Sequence, residues 1–389
     1  MIDNPGRTLR RDIDEYLQWM ISTGYSFSTC GTYRNELKRF FLFIIQRQIK
    51  WNGIFTFNTL KDFQKSRQAA TAPGVRGLWQ FLLDQKRIQQ PIDRPHRRLP
   101  DSYEDYLRYY SQTREVSSIR LVNIRRILFA FHDYLERQNI KLTSIRIEQI
   151  DAFLAEFFTP FSTATRQTYR SYLRGFLKFL YYHRRIIRKD LAPLVIGAPQ
   201  FAQSKPPKFL RKHEVQKLFD SFEPPSFKTL RNCALVNLAY GLGLRPDEIS
   251  HITLDDISFA QSVLTLTSRK NDRPTKLPIP EHIMKAISAY IIGARPKSSH
   301  RRLFLNLVAP YRPISATSVG QDITECIRKA GLPGTAYWLR HTHAQNLLEA
   351  GSSIYEIKEM LGHKNINSSE KYLSIHIELM RRVVFNEEL

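Results

Sequence analysis

Apolar residues recur at three- and four-residue spacing through most of the first half of the chain, as one face of a helix requires. Two stretches carry the same pattern. Ile13 to Ile88 contains Asp14-Glu15-Tyr16-Leu17, then Leu37-Lys38-Arg39-Phe40-Phe41, then Arg47-Gln48. Tyr103 to Ile186 contains Glu104-Asp105-Tyr106-Leu107, then Ile127 to Phe131, then Arg137-Gln138, at a constant offset of 90 residues. Each closes on a similar segment, Leu78-Trp79-Gln80-Phe81-Leu82 and Phe176-Leu177-Lys178-Phe179-Leu180, where the offset has grown to 98. The pattern predicts a duplicated helical module, with a small insertion in the second copy near Phe157-Phe158-Thr159-Pro160. Proline, glycine and charge collect between the modules, from Gln89 to Pro100, and again from Pro193 to Pro207.

Beyond Phe209 the pattern changes. Helices are expected from Lys212 and over Thr229–Tyr240. Val263-Leu264-Thr265-Leu266-Thr267 and Lys276-Leu277-Pro278-Ile279 alternate as strands do, around an Asn271-Asp272-Arg273 turn. Helical spacing then continues to the end. The expected fold is mainly α, with one small antiparallel sheet in the C-terminal half.

Charge narrows the choice of partner. The chain of 389 residues has 59 Lys+Arg against 36 Asp+Glu, a net charge of +23. Such a surface calls for an anion, and a polyphosphate backbone rewards dispersed cations by releasing counterions. The borders of both breaker-rich stretches are basic: Lys86, Arg87, Arg97 and Arg98 at the first, Arg184, Arg185, Arg188, Lys189, Lys205 and Lys208 at the second. No run of about 18 apolar residues supports a membrane span, and the longest run, Phe40 to Ile45, suits a helix face. No signal-peptide pattern is read at the N-terminus. Cys30, Cys233 and Cys326 are odd in number and far apart, which argues against a disulfide framework and for a reducing cytosol.

Metal-dependent DNA cutting requires clustered carboxylates. Asp255-Asp256 is a tight acidic pair with no third ligand in view, and His341, His343 and His363 lack acidic or cysteine partners at ligand spacing, so neither a metal nor a cofactor is expected. The alternative is covalent phosphoryl transfer. It needs a hydroxyl in line with the leaving oxygen, cations around the phosphate, and a proton donor for the leaving oxygen.

Three motifs supply such a set. They are Gly241-Leu242-Gly243-Leu244-Arg245-Pro246-Asp247-Glu248-Ile249 followed by Leu254-Asp255-Asp256-Ile257; Leu339-Arg340-His341-Thr342-His343-Ala344; and Leu361-Gly362-His363 with Tyr372 nine residues later. In order and spacing they resemble the three conserved boxes of the tyrosine recombinase (phage integrase) family, over about Phe209 to Leu389. The helical modules are more loosely similar to the family's SAM-like core-binding domains. The resemblance implies that Tyr372 is the nucleophile and that Arg245 and Arg340 clamp the scissile phosphate. It implies that Lys270 protonates the leaving 5′-oxygen, that His363 binds the phosphate or orients the tyrosine, and that Glu248 supports the site from behind. Arginine suits the clamp because its planar fork donates two bonds to one phosphate.

One position departs from the family's pattern. Tyr337 stands where the second box usually has histidine, and a tyrosine hydroxyl donates a hydrogen bond but is a poor base near neutral pH. It is retained as a phosphate ligand.

The expected layout is an N-terminal helical DNA-binding domain (1–90), a core-binding domain repeating it (101–190), a linker (191–207) and a catalytic domain (208–389), closing on DNA as a C-shaped clamp. The expected partner is double-stranded DNA with inverted-repeat sites, bound by a tetramer of this chain or by a mixed recombinase assembly. The expected location is the cytoplasm, on the nucleoid, and the expected role is integration or transposition of a mobile element. Apolar residues Ile375, Leu379, Met380, Val383, Val384 and Phe385 give the tail a face for a neighbouring subunit or for its own domain. Two rivals stay open: a type IB topoisomerase sharing the chemistry, and a catalytically weak accessory subunit, motivated by Tyr337.

Overall fold

The computed structural model describes residues 5–88, 98–114, 116–197, 208–266 and 274–362. They form two compact units, one built from 5–88 together with 208–362, the other from 98–197. No described helix is long and apolar enough to cross a membrane.

The first helical module contains α1 (Pro5–Ser22), α2 (Phe27–Gln46), the single turn α3 (Trp51–Ile54), α4 (Phe57–Ser66) and α5 (Pro73–Asp84). The second contains α6 (Asp101–Thr113), α7 (Ser118–Arg137), a short 3-10 turn at Leu142–Ser144, α8 (Ile147–Phe157) and α9 (Thr163–Lys178). Serine starts corresponding helices in both: Ser26 precedes α2 and accepts a hydrogen bond from the Thr29 amide, and Ser117 precedes α7. Residues in the left-handed region, Gln48 (φ 50) and Asn139 (φ 51), follow the ends of these helices. The buried packing also matches. Phe40 meets Phe63 edge-on with ring centroids 5.0 Å apart, and Phe131 meets Phe153 at 5.0 Å. Tyr16 lies 5.4 Å from Phe81, and Tyr106 lies 5.4 Å from Phe179.

These pairs correct the expected register. Tyr16 and Tyr106 keep the offset of 90, but α2 and α7 correspond at 91, so Phe40, and not Phe41, matches Phe131. A hydrophobic pattern tolerates a one-residue slip between adjacent phenylalanines; a packed ring does not. The larger offset also arises elsewhere than expected. The segment between α8 and α9 is short, and the added residues lengthen α9 at its N-terminal end.

A shared notch holds each module's first and last helices together. The hydroxyls of Tyr16 and Tyr106 are buried and have no hydrogen-bond partner among the described residues. A Cβ added at Gly77 would lie 2.0 Å from the Tyr16 hydroxyl, and one at Gly175 would lie 2.5 Å from that of Tyr106. Burial pushes both phenols far above their ordinary pKa.

The C-terminal half starts with α10 (Lys212–Asp220), α11 (Phe227–Gly241) and α12 (Pro246–His251). A three-stranded antiparallel sheet follows, ordered β1 (Ile257–Ser258), β2 (Val263–Leu266), β3 (Thr275–Pro278). Leu264 faces Ile257 on one side and Leu277 on the other, and all three are buried. The two longer strands match the alternation in sequence. β1 has two residues, too few for a period to show. Helices α13 (Glu281–Gly293), α14 (Ala316–Lys329), α15 (Ala336–Glu349) and α16 (Ile354–Leu361) complete the described chain. Their core includes Leu235, Leu238, Ile283, Ile287, Phe304 and Ile323.

Gly175→Ala is expected to destabilise the protein by about 1–3 kcal/mol through overpacking against the Tyr106 hydroxyl. Tyr106→Phe removes that hydroxyl and should recover most of the loss when the two are combined, as read by denaturant unfolding. Equal losses with and without Tyr106→Phe would show that the notch is not the cause.

Candidate active site and nucleic-acid interface

The site begins where α11 runs out. Gly243 turns the chain with φ +62, a conformation that side chains rarely adopt. A Cβ there would also lie 2.6 Å from His343 Cδ2 and 2.9 Å from Leu361 Cδ2. The turn delivers Arg245 in extended conformation to the N-cap of α12, and Pro246 opens the helix with its φ already set. Glu248 folds back from the first turn. Its Oε2 accepts the Arg245 amide at 2.7 Å, and its Oε1 accepts Arg245 Nη1 at 2.8 Å.

Arg340, on α15, reaches the same carboxylate. Its Nη1 lies 3.6 Å from Glu248 Oε2 and donates to the Gly243 carbonyl at 2.5 Å. Its Nη2 donates to the Leu361 carbonyl at 2.5 Å. Arg245 Nη2 approaches the Gly362 carbonyl at 3.4 Å. Both guanidiniums therefore face the carbonyl end of α16, the negative end of its dipole. Glu248 is 6% exposed and Arg340 is 3% exposed, whereas the Arg245 side chain is 26% exposed. One buried carboxylate thus serves two cations and leaves the trio a net positive charge, with Arg245 at its open edge.

Tyr337 lies in the first turn of α15, one turn before Arg340, and is 55% exposed. It lines a cleft of about 750 Å³ together with Pro246 and Asp247, which follow Arg245 in the chain, and Thr335. Three expected site residues, Arg245, Glu248 and Arg340, are thus brought together, while Tyr337 lies one turn before Arg340 and lines a neighbouring cleft. Lys270, His363 and Tyr372 lie outside the described residues. Strands β2 and β3 lead into and out of the segment that carries Lys270, and Gly362 directly precedes His363. Among the described residues, no group of three or more His, Cys, Asp or Glu is placed to hold a metal ion.

His343, the last histidine of the second motif, belongs to this framework rather than to a metal site. Burial, reinforced by the nearby Arg340 charge, pushes its pKa down to about 4, so the ring is neutral near pH 7 and packs beside Gly243. The signal was available in sequence. His343 stands three residues after Arg340 on a helix, and that spacing shares a face.

A second cationic surface lies in the unit of 98–197. Arg166, Arg170, Arg174 and Lys178 recur every four residues along α9. Arg170 stacks on the Phe158 ring at 4.9 Å, and Arg174 and Lys178 are exposed. With Arg114, Tyr109 and Tyr182 these two line a cleft of about 400 Å³. Cations interleaved with aromatic rings suit a phosphate backbone.

Two outcomes follow for the buried charges. Glu248→Ala leaves the Arg340 charge sealed without its carboxylate and should cost about 3–5 kcal/mol of stability, measured by denaturant unfolding. A loss within 1 kcal/mol, roughly that of an exposed pair, would contradict the bridging role. His343 has a folded pKa below its unfolded value of about 6.5. The unfolded chain therefore binds the extra proton between the two values, and stability should fall by about 3 kcal/mol as pH drops from about 6.5 to about 4. His343→Asn should flatten that slope.

The pattern of the "Phage integrase family" matches residues 208–378, and that of the "Phage integrase, N-terminal SAM-like domain" matches residues 103–184. The integrase/recombinase-type protein y4rA of Sinorhizobium fredii (strain NBRC 101917 / NGR234) is 24% identical over 94% of this chain and 91% of its own. Tyrosine recombinase XerC of Bacillus subtilis (strain 168) is 27% identical over 71% of this chain and 92% of its own. The fold resembles the solved structure of XerH site-specific recombinase bound to a palindromic difH substrate. That match has a TM-score of 0.57 at 17% identity, over 98% of this chain and 97% of that one. With the two family patterns falling on the catalytic half and on the second helical module, the chain belongs to the tyrosine recombinase, or phage integrase, family of DNA breaking and rejoining enzymes.

Proposed function

We propose that this chain is a site-specific DNA recombinase acting through a 3′-phosphotyrosine intermediate, in the integration or transposition of a mobile element. The observation that carries the reading is the Arg245–Glu248–Arg340 cluster set against the end of α16, immediately before His363. It concentrates positive charge in the motif set, with the partly exposed Arg245 at its open edge facing an incoming phosphate.

In this reading the Tyr372 hydroxyl oxygen attacks the scissile phosphorus and passes its proton to solvent water as the P–O bond forms. The bond to the 5′-oxygen breaks, and Lys270 gives that oxygen a proton. Arg245 and Arg340 hold the non-bridging oxygens, Glu248 fixes both guanidiniums, and His363 and Tyr337 donate to the phosphate. The ester conserves the energy of the broken bond, so a 5′-hydroxyl from a partner strand attacks it and rejoins the DNA without ATP.

Residues 1–90 and 101–190 act as two related helical DNA-binding domains, 191–207 as a linker and 208–389 as the catalytic domain, together closing on the duplex as a clamp. The α9 stripe supports phosphate contact by the second module. The net charge of +23 supports double-stranded DNA as the partner, and the location in this reading is the cytoplasm, on the nucleoid. The assembly is a tetramer, of this chain or mixed with related recombinases, on paired inverted-repeat sites.

A suicide substrate nicked beside the cleavage point tests this with DNA flanking the gene. The native chain should form a covalent adduct that survives denaturing electrophoresis, and Tyr372→Phe should abolish it. Arg245→Lys and Arg340→Lys should each slow adduct formation by about 100- to 1,000-fold, as expected for loss of one preorganised donor. Tyr337→His should speed it by restoring a group that titrates near neutral pH. No adduct on any flanking repeat would replace this reading with that of an accessory DNA-binding subunit. Relaxation of an unrelated plasmid by a monomer would replace it with a topoisomerase.

A further inference from the structure

Between α13 and α14 the chain forms an arch. Leu305 pairs with Pro313, the Asn306 amide donates to the Arg312 carbonyl at 2.8 Å, and the Tyr311 amide donates to the Val308 carbonyl at 3.0 Å. The arch stands on a rigid base. The Leu305 amide donates to the Tyr290 hydroxyl at 3.1 Å, and Arg231 donates to the Leu305 carbonyl at 3.2 Å. Arg231 is itself held by Asp322 at 2.7 Å within the catalytic core.

The arch touches the first helical module at two points within one compact unit. Arg312 Nη2 donates to Asp84 Oδ2, at the end of α5, at 2.7 Å. The Tyr311 ring lies over Gly24, in the turn between α1 and α2. A Cβ at Gly24 would sit 3.1 Å from the Tyr311 hydroxyl and 3.3 Å from its Cε2, and Gly24 has φ +86. Absence of a side chain at Gly24 is therefore needed both for the turn and for the approach of the ring.

The two helical modules differ at these points. Counting back from the serines that start α2 and α7, Gly24 corresponds to Glu115 in the sequence. Counting from the matched rings Phe81 and Phe179, Asp84 corresponds to Tyr182. The second module carries neither the glycine nor the carboxylate. Conversely, Lys178 on its cationic stripe corresponds to Gln80 in the first module. Arg174 of that stripe does have a counterpart, the exposed Arg76, so the modules share part of their cationic face and differ at the points that meet the arch.

We propose that the first helical module is a docking module for the catalytic half of its own chain, gripping Tyr311 and Arg312 between Gly24 and Asp84. An exposed ion pair is weak. Here it does not act alone, because the Tyr311 ring packed over Gly24 adds a second contact at the same junction.

Hydrogen exchange on the full chain without DNA tests this. Asp84→Lys should raise exchange about threefold at the amides of 306–312 and of 23–25, a change of the size an exposed ion pair supplies. Asp84→Lys combined with Arg312→Glu should restore the native rates, and Tyr311→Ala should raise them again. Asp84 and Arg312 are surface groups, so the circular dichroism spectrum should not change. Unaltered exchange in Asp84→Lys, or failure of the charge swap to restore it, would overturn the proposal. So would protection that weakens on tenfold dilution, which would assign the arch's partner to a second copy. None of these readouts depends on DNA cleavage, so the recombinase reading and the docking proposal stand or fall separately.

Discussion

A buried carboxylate between two arginines is the constraint around which the catalytic half is arranged. Like charges brought together repel, and each guanidinium loses hydration as it is buried. Glu248 offsets both effects at once, and it does so from a helix whose first turn it also closes. Backbone carbonyls supply what remains: Gly243 from the turn after α11, and Leu361 and Gly362 from the end of α16. Three segments distant in sequence are therefore tied to one electrostatic centre. The cluster thus joins the first motif, the second motif and the start of the third around a single buried carboxylate.

Much of this was legible in the sequence, for identifiable reasons. The arginines stand out because they fall inside motifs of fixed order, and Glu248 stands one helical turn from Arg245. The strands β2 and β3 alternate clearly because one face is buried and the other is not. What the sequence did not reveal is what a residue alphabet does not encode. The carbonyls of Gly243, Leu361 and Gly362 are present at every residue type, so their roles emerge only when the backbone path is known. His343 resembled a possible metal ligand because histidine has that chemistry. Its actual surroundings, burial and the Arg340 charge, hold it neutral. Roles for Lys270, His363 and Tyr372 rest on the family motifs.

The helical modules teach a related lesson. Their likeness was visible as recurring aromatic and apolar residues, but the register was off by one at Phe40 because neighbouring phenylalanines both satisfy a periodicity. Ring packing against Phe63 and Phe153 resolves it. Breakers attract insertions, which is why the sequence points to a loop where the structure instead lengthens α9. Growth at the end of a helix is also tolerated, since each added residue makes its own backbone hydrogen bond.

Gly362 shows how closely termination and recognition are joined. It ends α16 in the left-handed region, φ +61, where its lack of a side chain is an advantage. The carbonyls at that terminus are the ones that receive the arginines. A helix end usually frays with little consequence beyond its last turn. Here fraying would swing acceptors away from the buried Arg340 guanidinium and the half-buried Arg245, so local disorder in one short helix would propagate as misaligned charge on α12 and α15. The terminus is thus a single point of failure: a backbone stop signal that doubles as the alignment reference for the arginines of α12 and α15.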